Sequence, residues 1–264
     1  MPERTPGFLD EVGPRLQSIA DEAAAGGLDR AIELMADCIV AGGVIQAFGT
    51  GHSQAFAMEI AGRAGGLIPT NAIRLVDLAL NGTRDADALS GSEMERDPGL
   101  ADDLLGLYPV RPDDVFIIAS NSGVNGSIVG TALAAKAAGH SVIAVTSMQH
   151  TMAVTPKHPS GKRLSDVADV VIDNRAPFGD TTIELGSGVK VGAVSSITAA
   201  FIAQLLTIGV AARLGTDGTV PPVYISANIP GGDEHNSTLE AAYGNRIKRG
   251  AAPGLDNPWK VGQQ

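Results

Sequence analysis

Apolar residues Phe8, Val12, Leu16 and Ile19 recur at helical spacing near the start of the chain, and a second amphipathic run covers 28–40 after the break at Gly26-Gly27. The pattern then changes to short apolar runs alternating with helical stretches. Runs 44–48, 73–77, 115–119, 142–145 and 170–172 predict strands. Stretches 54–63, 128–138 and 195–214 predict helices, followed by Gly65-Gly66, Gly139 and Gly215. Strands that are apolar throughout and separated by helices predict a parallel α/β sheet covered on both faces. Residues 81–111 carry many charges and few β-formers, which predicts an irregular excursion with a short helix at 100–107. Pro and Gly dominate from 216 until a polar helix predicted over 234–248. The pattern divides the chain into a helical arm (1–40), a central α/β domain (41–215) and a tail (216–264).

Composition narrows the possible partners. Charged residues make up 18% of the 264 and aromatics 4%, so the core is built from Ala, Val, Ile and Leu. The formal net charge of −10 argues against nucleic acid and anionic membranes as partners. A small anion is still admissible, because a helix N-terminus supplies a local positive field. The single cysteine, Cys38, lies in an apolar helical pattern and reads as a buried core residue, which leaves no disulfide and no cysteine metal cluster. The first residues lack the basic-then-apolar order of a signal peptide, and the apolar stretch 197–212 is short and mixed for a membrane span. A cytoplasmic protein is expected.

Ligands of parallel sheets bind beyond the carboxyl ends of the strands, which directs attention to the segments after Phe48, Ala119, Val145 and Ile172. Gly49-Thr50-Gly51-His52-Ser53 follows the first strand and opens a helix. A dinucleotide fingerprint needs a third glycine where Gln54 stands and an acid about twenty residues on, and neither is present. Ser120-Asn121-Ser122-Gly123-Val124-Asn125 likewise joins strand to helix. One serine suffices to cap a helix; two hydroxyl-bearing turns after two parallel strands point to a phosphate. The nucleotide phosphate loop Gly-x-x-x-x-Gly-Lys-Ser/Thr is absent.

With Ala-Lys-Ala-Ala-Gly-His-Ser-Val-Ile-Ala-Val-Thr at 135–146, these segments resemble the sugar isomerase (SIS) domain over about residues 35–215. The resemblance implies a three-layer αβα fold on a five-stranded parallel sheet and a phosphosugar ligand held by an isomerase, a lyase or a sensor. Family phosphate contacts carry over onto Ser53, Ser120, Asn121, Ser122 and Asn125; Gly51, His52 and Gly123 sit in the same two turns as further candidates. Residues 56–63 resemble the phosphoheptose isomerase helix that carries a catalytic glutamate, here Glu59. Residues 184–193 resemble N-acetylmuramic acid 6-phosphate etherase. Family members often complete the site from a neighbouring subunit, which implies a homodimer or homotetramer and makes His235, in the tail, a candidate for ring opening.

Such chemistry begins with removal of the proton at C2 of an open-chain sugar, which needs a carboxylate or imidazole within hydrogen-bond reach. Glu59 is the candidate base, with Glu95 and Glu184 as further acid–base candidates. His158 and Lys162, after the fourth strand, are placed to approach the ligand. No histidine pair has the i, i+4 spacing of a metal site, so no metal or cofactor is expected. The expected activity is a lyase on an (N-acetyl)amino-sugar 6-phosphate that loses its C3 substituent, with an aldose–ketose isomerase and a non-enzymatic sensor as alternatives. Arg4, Arg15 and Arg30 are outnumbered by acids in residues 1–40, which argues against a DNA-binding arm.

Overall fold

The computed structural model describes residues 7–81, 84–186 and 188–249. The outermost parts of the predicted arm and tail (1–6 and 250–264), and Ser187 of the etherase-like run, lie outside the described residues. Strands β1 (Ile45–Gly49), β2 (Thr70–Ile73), β3 (Val115–Ala119), β4 (Ser141–Thr146) and β5 (Val170–Asp173) form one parallel sheet in the order β2-β1-β3-β4-β5. The helices in chain order are α1 (Phe8–Ala24), α2 (Asp29–Val40), α3 (Gln54–Ile60), α4 (Val76–Leu80), α5 (Glu93–Arg96), α6 (Ala101–Leu105), α7 (Gly126–Ala137), α8 (Met148–Ala153), α9 (Leu164–Val167), α10 (Ser195–Leu214) and α11 (Gly232–Ala241).

Side chains alternate across the strands, so each face acquires its own core. Ile45, Ala47, Ile117 and Val145 pack with Met35, Phe56, Ile202 and Leu206 from α2, α3 and α10. Phe48, Ile73, Phe116, Ile118 and Ala144 pack with Leu78, Leu104, Ile128 and Leu164 on the opposite face. This is the expected three-layer αβα arrangement. Cys38 is buried in the first core, and burial pushes its thiol pKa up to about 12, so it stays protonated and inert. Helix α10 has the length and apolar composition of a membrane span, exceeding the stretch read from the sequence, yet Ile202, Leu206 and Val210 are core residues.

Three sequence expectations need correction. The second strand runs Thr70–Ile73, not 73–77, and the later residues form α4. Thr70 and Asn71 are polar but fully buried: Thr70 Oγ1 donates to Leu67 O at 2.9 Å, and Asn71 Nδ2 donates to Arg246 O at 2.9 Å. The helix predicted over 234–248 is the shorter α11, followed by a turn at Gly244–Arg246. An unpredicted antiparallel hairpin, β6 (Thr181–Glu184) with β7 (Lys190–Ala193), precedes α10.

The tail is tied to the sheet. Ile68 N–H donates to Pro222 O at 2.8 Å and Tyr224 N–H to Gly66 O at 2.9 Å. The Arg249 guanidinium donates to the carbonyls of Ile68 (2.6 Å) and Thr70 (2.7 Å) beside edge strand β2. Arg246 reaches under the sheet to a buried ion pair with Asp114. Asp114 also accepts from Val44 N–H (2.8 Å), Gln46 Nε2 (2.9 Å) and Arg111 N–H (3.1 Å).

Candidate functional site

The two hydroxyl-bearing turns face the same crevice. His52, Ser53, Phe56, Ser120, Asn121, Asn174, Ser195 and Ser196 line it, with Ala119, Val145 and Ala199 as its apolar floor. It lies at the carboxyl ends of β1, β3, β4 and β5, where α10 begins and the turns entering α3 and α7 meet. Helix N-termini direct unpaired N–H groups and a positive field toward such a point. No lysine or arginine lines the crevice, so an anion is held there by N–H and hydroxyl donors. Its volume of about 10 Å³ is the room of a single water.

The β3–α7 turn is braced from behind. Ser120 Oγ accepts from Gly123 N–H at 3.1 Å, and Thr151 Oγ1 donates to Ser122 O at 2.8 Å. Asn174 Nδ2 donates to Asn121 Oδ1 at 3.2 Å while its own Oδ1 accepts from Ala176 N–H. Gly123 adopts φ +64°, and a Cβ there would stand 2.8 Å from Thr151 Oγ1 and 3.0 Å from Thr146 Oγ1. Gly123→Ala therefore adds the cost of a left-handed alanine, about 1–2 kcal/mol, to a clash within the brace. The expected result is weaker phosphosugar binding together with a lowered midpoint in a thermal melt; unchanged values for both would separate this turn from ligand binding.

Ser195 and Ser196 reach the crevice because Asp180, at the base of the hairpin, grips the start of α10. Its Oδ1 accepts from Val194 N–H (3.1 Å) and Ser195 N–H (2.8 Å), and its Oδ2 accepts from Ser195 Oγ (2.7 Å). A carboxylate at a helix N-terminus is favourably placed. Sequence reading did not single out Asn174, Asp180, Ser195 or Ser196; the available signal was the polar segment after the fifth strand.

The acid–base candidates separate. The Glu95 carboxylate lies over the first turn, with Oε1 3.1 Å from where a Cβ on Gly51 would stand, and neither Glu95 nor Gly51 lines the crevice. The excursion that carries it folds back onto α7: Ser127 Oγ donates to Glu95 O at 2.7 Å, and a Cβ on Gly126 would meet Arg96 O at 2.1 Å. Glu59 lies further along α3, in the groove with α10, where its Oε1 accepts from Gln204 Nε2 at 2.6 Å and pairs with Arg63. Glu184 is exposed on the hairpin opposite Lys190, away from the crevice lining.

Other candidates stand apart as well. His158 rests 3.6 Å from where a Cβ on Gly130 would stand, and burial lowers its pKa, so it is mostly uncharged at neutral pH. Lys162 is exposed, and neither residue lines the crevice. Asn125 stands immediately before α7 without lining it. His235 Nε2 is 3.0 Å from Val223 O in the tail, again off the crevice. Among the described residues no group of three or more His, Cys, Asp or Glu side chains is arranged to hold a metal ion.

Hydroxyl-bearing turns and helix starts are gathered at the carboxyl edge of a parallel α/β sheet. The SIS domain family model matches residues 7–147, more than half of the chain, and the chain belongs to that family. A UPF0309 protein of Listeria monocytogenes serovar 1/2a is 37% identical over 91% of this chain and 97% of its own length. A UPF0309 protein of Halalkalibacterium halodurans is 36% identical over 87% and 93%. Among solved structures, phosphoheptose isomerase from Neisseria gonorrhoeae aligns over 76% of this chain and 94% of its own, at 19% identity and a TM-score of 0.49.

Proposed function

We propose that the chain is a cytoplasmic phosphosugar enzyme that removes the C2 proton of an open-chain (N-acetyl)amino-sugar 6-phosphate and expels the C3 substituent. The observation that supports this reading is a serine-lined crevice free of lysine and arginine, with the Glu95 carboxylate outside its lining but over Gly51 of the adjoining turn. A carboxylate there is repelled by a bound phosphate, so its work is at the sugar end of the ligand. Glu95 takes the proton from C2, leaving an enolate of the C1 aldehyde. An N-acetylamino group at C2 blocks the ketose product, so the electron pair forms a C2=C3 double bond as the C3–O bond breaks, and the departing oxygen takes up a proton from the Glu95 carboxyl. The etherase-like run, whose flanking Asp180 sets the start of α10, supports elimination.

A second reading rests on Glu59. Gln204 and Arg63 hold it in the groove that leads from the crevice, within the segment that resembles phosphoheptose isomerase. On that reading the proton returns at C1 and the product is a ketose. His235 acts in either scheme only from a neighbouring chain, and the exposed α10 residues Ile197 and Ile208 offer a surface for a homo-oligomer.

Incubation with N-acetylglucosamine 6-phosphate, N-acetylmuramic acid 6-phosphate and other sugar 6-phosphates in deuterated water tests the assignment by proton NMR. The expected result is loss of the C2 proton signal with release of the C3 group. Exchange with ketose formation selects the isomerase. Binding without exchange for every sugar selects a sensor and removes the enzyme reading.

A further inference from the structure

A second cavity, of about 460 Å³, lies beside edge strand β2. Arg63 in the turn after α3, Arg74 after β2, and Lys248 and Arg249 of the tail line it, with Met58, Ala61 and Ala72 as apolar wall. One carboxylate, Asp77, faces these four cations. It is 6% exposed and already committed: Arg74 donates to both its oxygens (2.6 and 3.3 Å), and Tyr108 Oη donates to Oδ2. Arg63 is paired outward with Glu59, and Arg249 lies 3.5 Å from Glu240.

Lys248 differs from the other three. Its Nζ donates to Leu107 O and stands 4.9 Å over the Tyr108 ring, and among the described residues no carboxylate lies within ion-pair distance of it. Burial lowers its pKa, the mark of an ammonium short of compensation. An ammonium has three protons to donate, and Leu107 O takes one. Arg74 keeps donors on Nη1, and Arg63 on Nη2. The cavity is of ordinary ligand size, far larger than the serine crevice, and its cations come from three separate segments. That spread suits an anion with several oxygens along its length better than one phosphate.

We propose that this cavity binds an oligophosphate through Arg63, Arg74 and Lys248, the shared chemistry being the pyrophosphate group of inorganic pyrophosphate or of a nucleoside diphosphate. The site does not depend on the phosphosugar reading, although Arg63 also pairs with Glu59. Because Lys248 N–H also donates to Asn71 Oδ1 at 2.7 Å, an occupant of the cavity secures the tail against β2.

The test is calorimetric titration of the full chain with pyrophosphate and with ADP, together with hydrogen exchange of residues 246–249. Binding should weaken about tenfold or more in Lys248→Met, stay within about twofold in Ser120→Ala/Ser122→Ala, and slow tail exchange in the unaltered protein. Arg63→Gln, in the exposed turn after α3, should weaken it too and serves where Lys248→Met fails to fold. Tighter ADP than pyrophosphate identifies the nucleotide as the source; equal affinities identify pyrophosphate. The proposal is overturned if neither anion binds at millimolar concentration, if a folded cavity variant keeps full affinity, or if the serine variant loses it.

Discussion

Glu95→Gln lowers the rate of C2 proton exchange by about 10²- to 10⁴-fold while phosphosugar affinity changes only a few-fold. The substitution keeps size and hydrogen-bonding atoms but removes the basic oxygen. Glu95 is positioned through its backbone by Ser127 and by the close approach of Arg96 to Gly126, so the side-chain change leaves its support intact. Glu59→Gln is the control. One oxygen of Glu59 is already taken by Gln204 and Arg63, so its loss disturbs the α3–α10 groove more than it removes a free base. Single-turnover exchange in deuterated water measures both. Full exchange in Glu95→Gln with loss in Glu59→Gln would transfer the proton step to Glu59 and favour the isomerase.

Asp114→Ala destabilises the protein by about 3–5 kcal/mol, as expected when one partner of a buried ion pair is removed. Arg246 retains its charge with a side chain 7% exposed, and the donors from Val44, Gln46 and Arg111 lose their acceptor. Against a typical stability of about 5–15 kcal/mol, such a loss raises the unfolded fraction by about 10²- to 10³·⁵-fold. The exposed pair Arg30–Glu33 is the comparison: Glu33→Ala leaves the urea midpoint nearly unchanged, because solvent screens the pair. Urea denaturation of both variants gives the difference. Asp114 precedes β3 whereas the crevice follows it, so activity per folded molecule should be retained. A loss below about 1 kcal/mol for Asp114→Ala would show that the pair does not anchor the tail.

The parallel sheet was readable because four of its strands are nearly continuous apolar runs. β2 was displaced in the reading because its first residues, Thr70 and Asn71, are polar residues satisfied inside the fold by partners from Leu67 and from the tail. No local pattern announces a partner 175 residues away. The two serine-bearing turns were legible from the order strand, turn, helix, and they do share a crevice. Glu95 was harder to place, since charges in an irregular segment normally face water. The physical signal was Gly126 and Gly130, one helical turn apart, which admit the backbone of Arg96 and Pro98 against α7. Glu184 and His235 were chosen for their local sequence, but their segments belong to the hairpin and the tail, remote from the crevice lining within one chain.

Arg249 has a consequence for how copies of the chain keep apart. A border strand with bare carbonyls invites a neighbour to continue the sheet and so seeds aggregates. Here one planar cation covers the carbonyls of Ile68 and Thr70, and its charge repels an identical cation on an approaching copy. Arg249 thus closes two acceptors that an added strand would need.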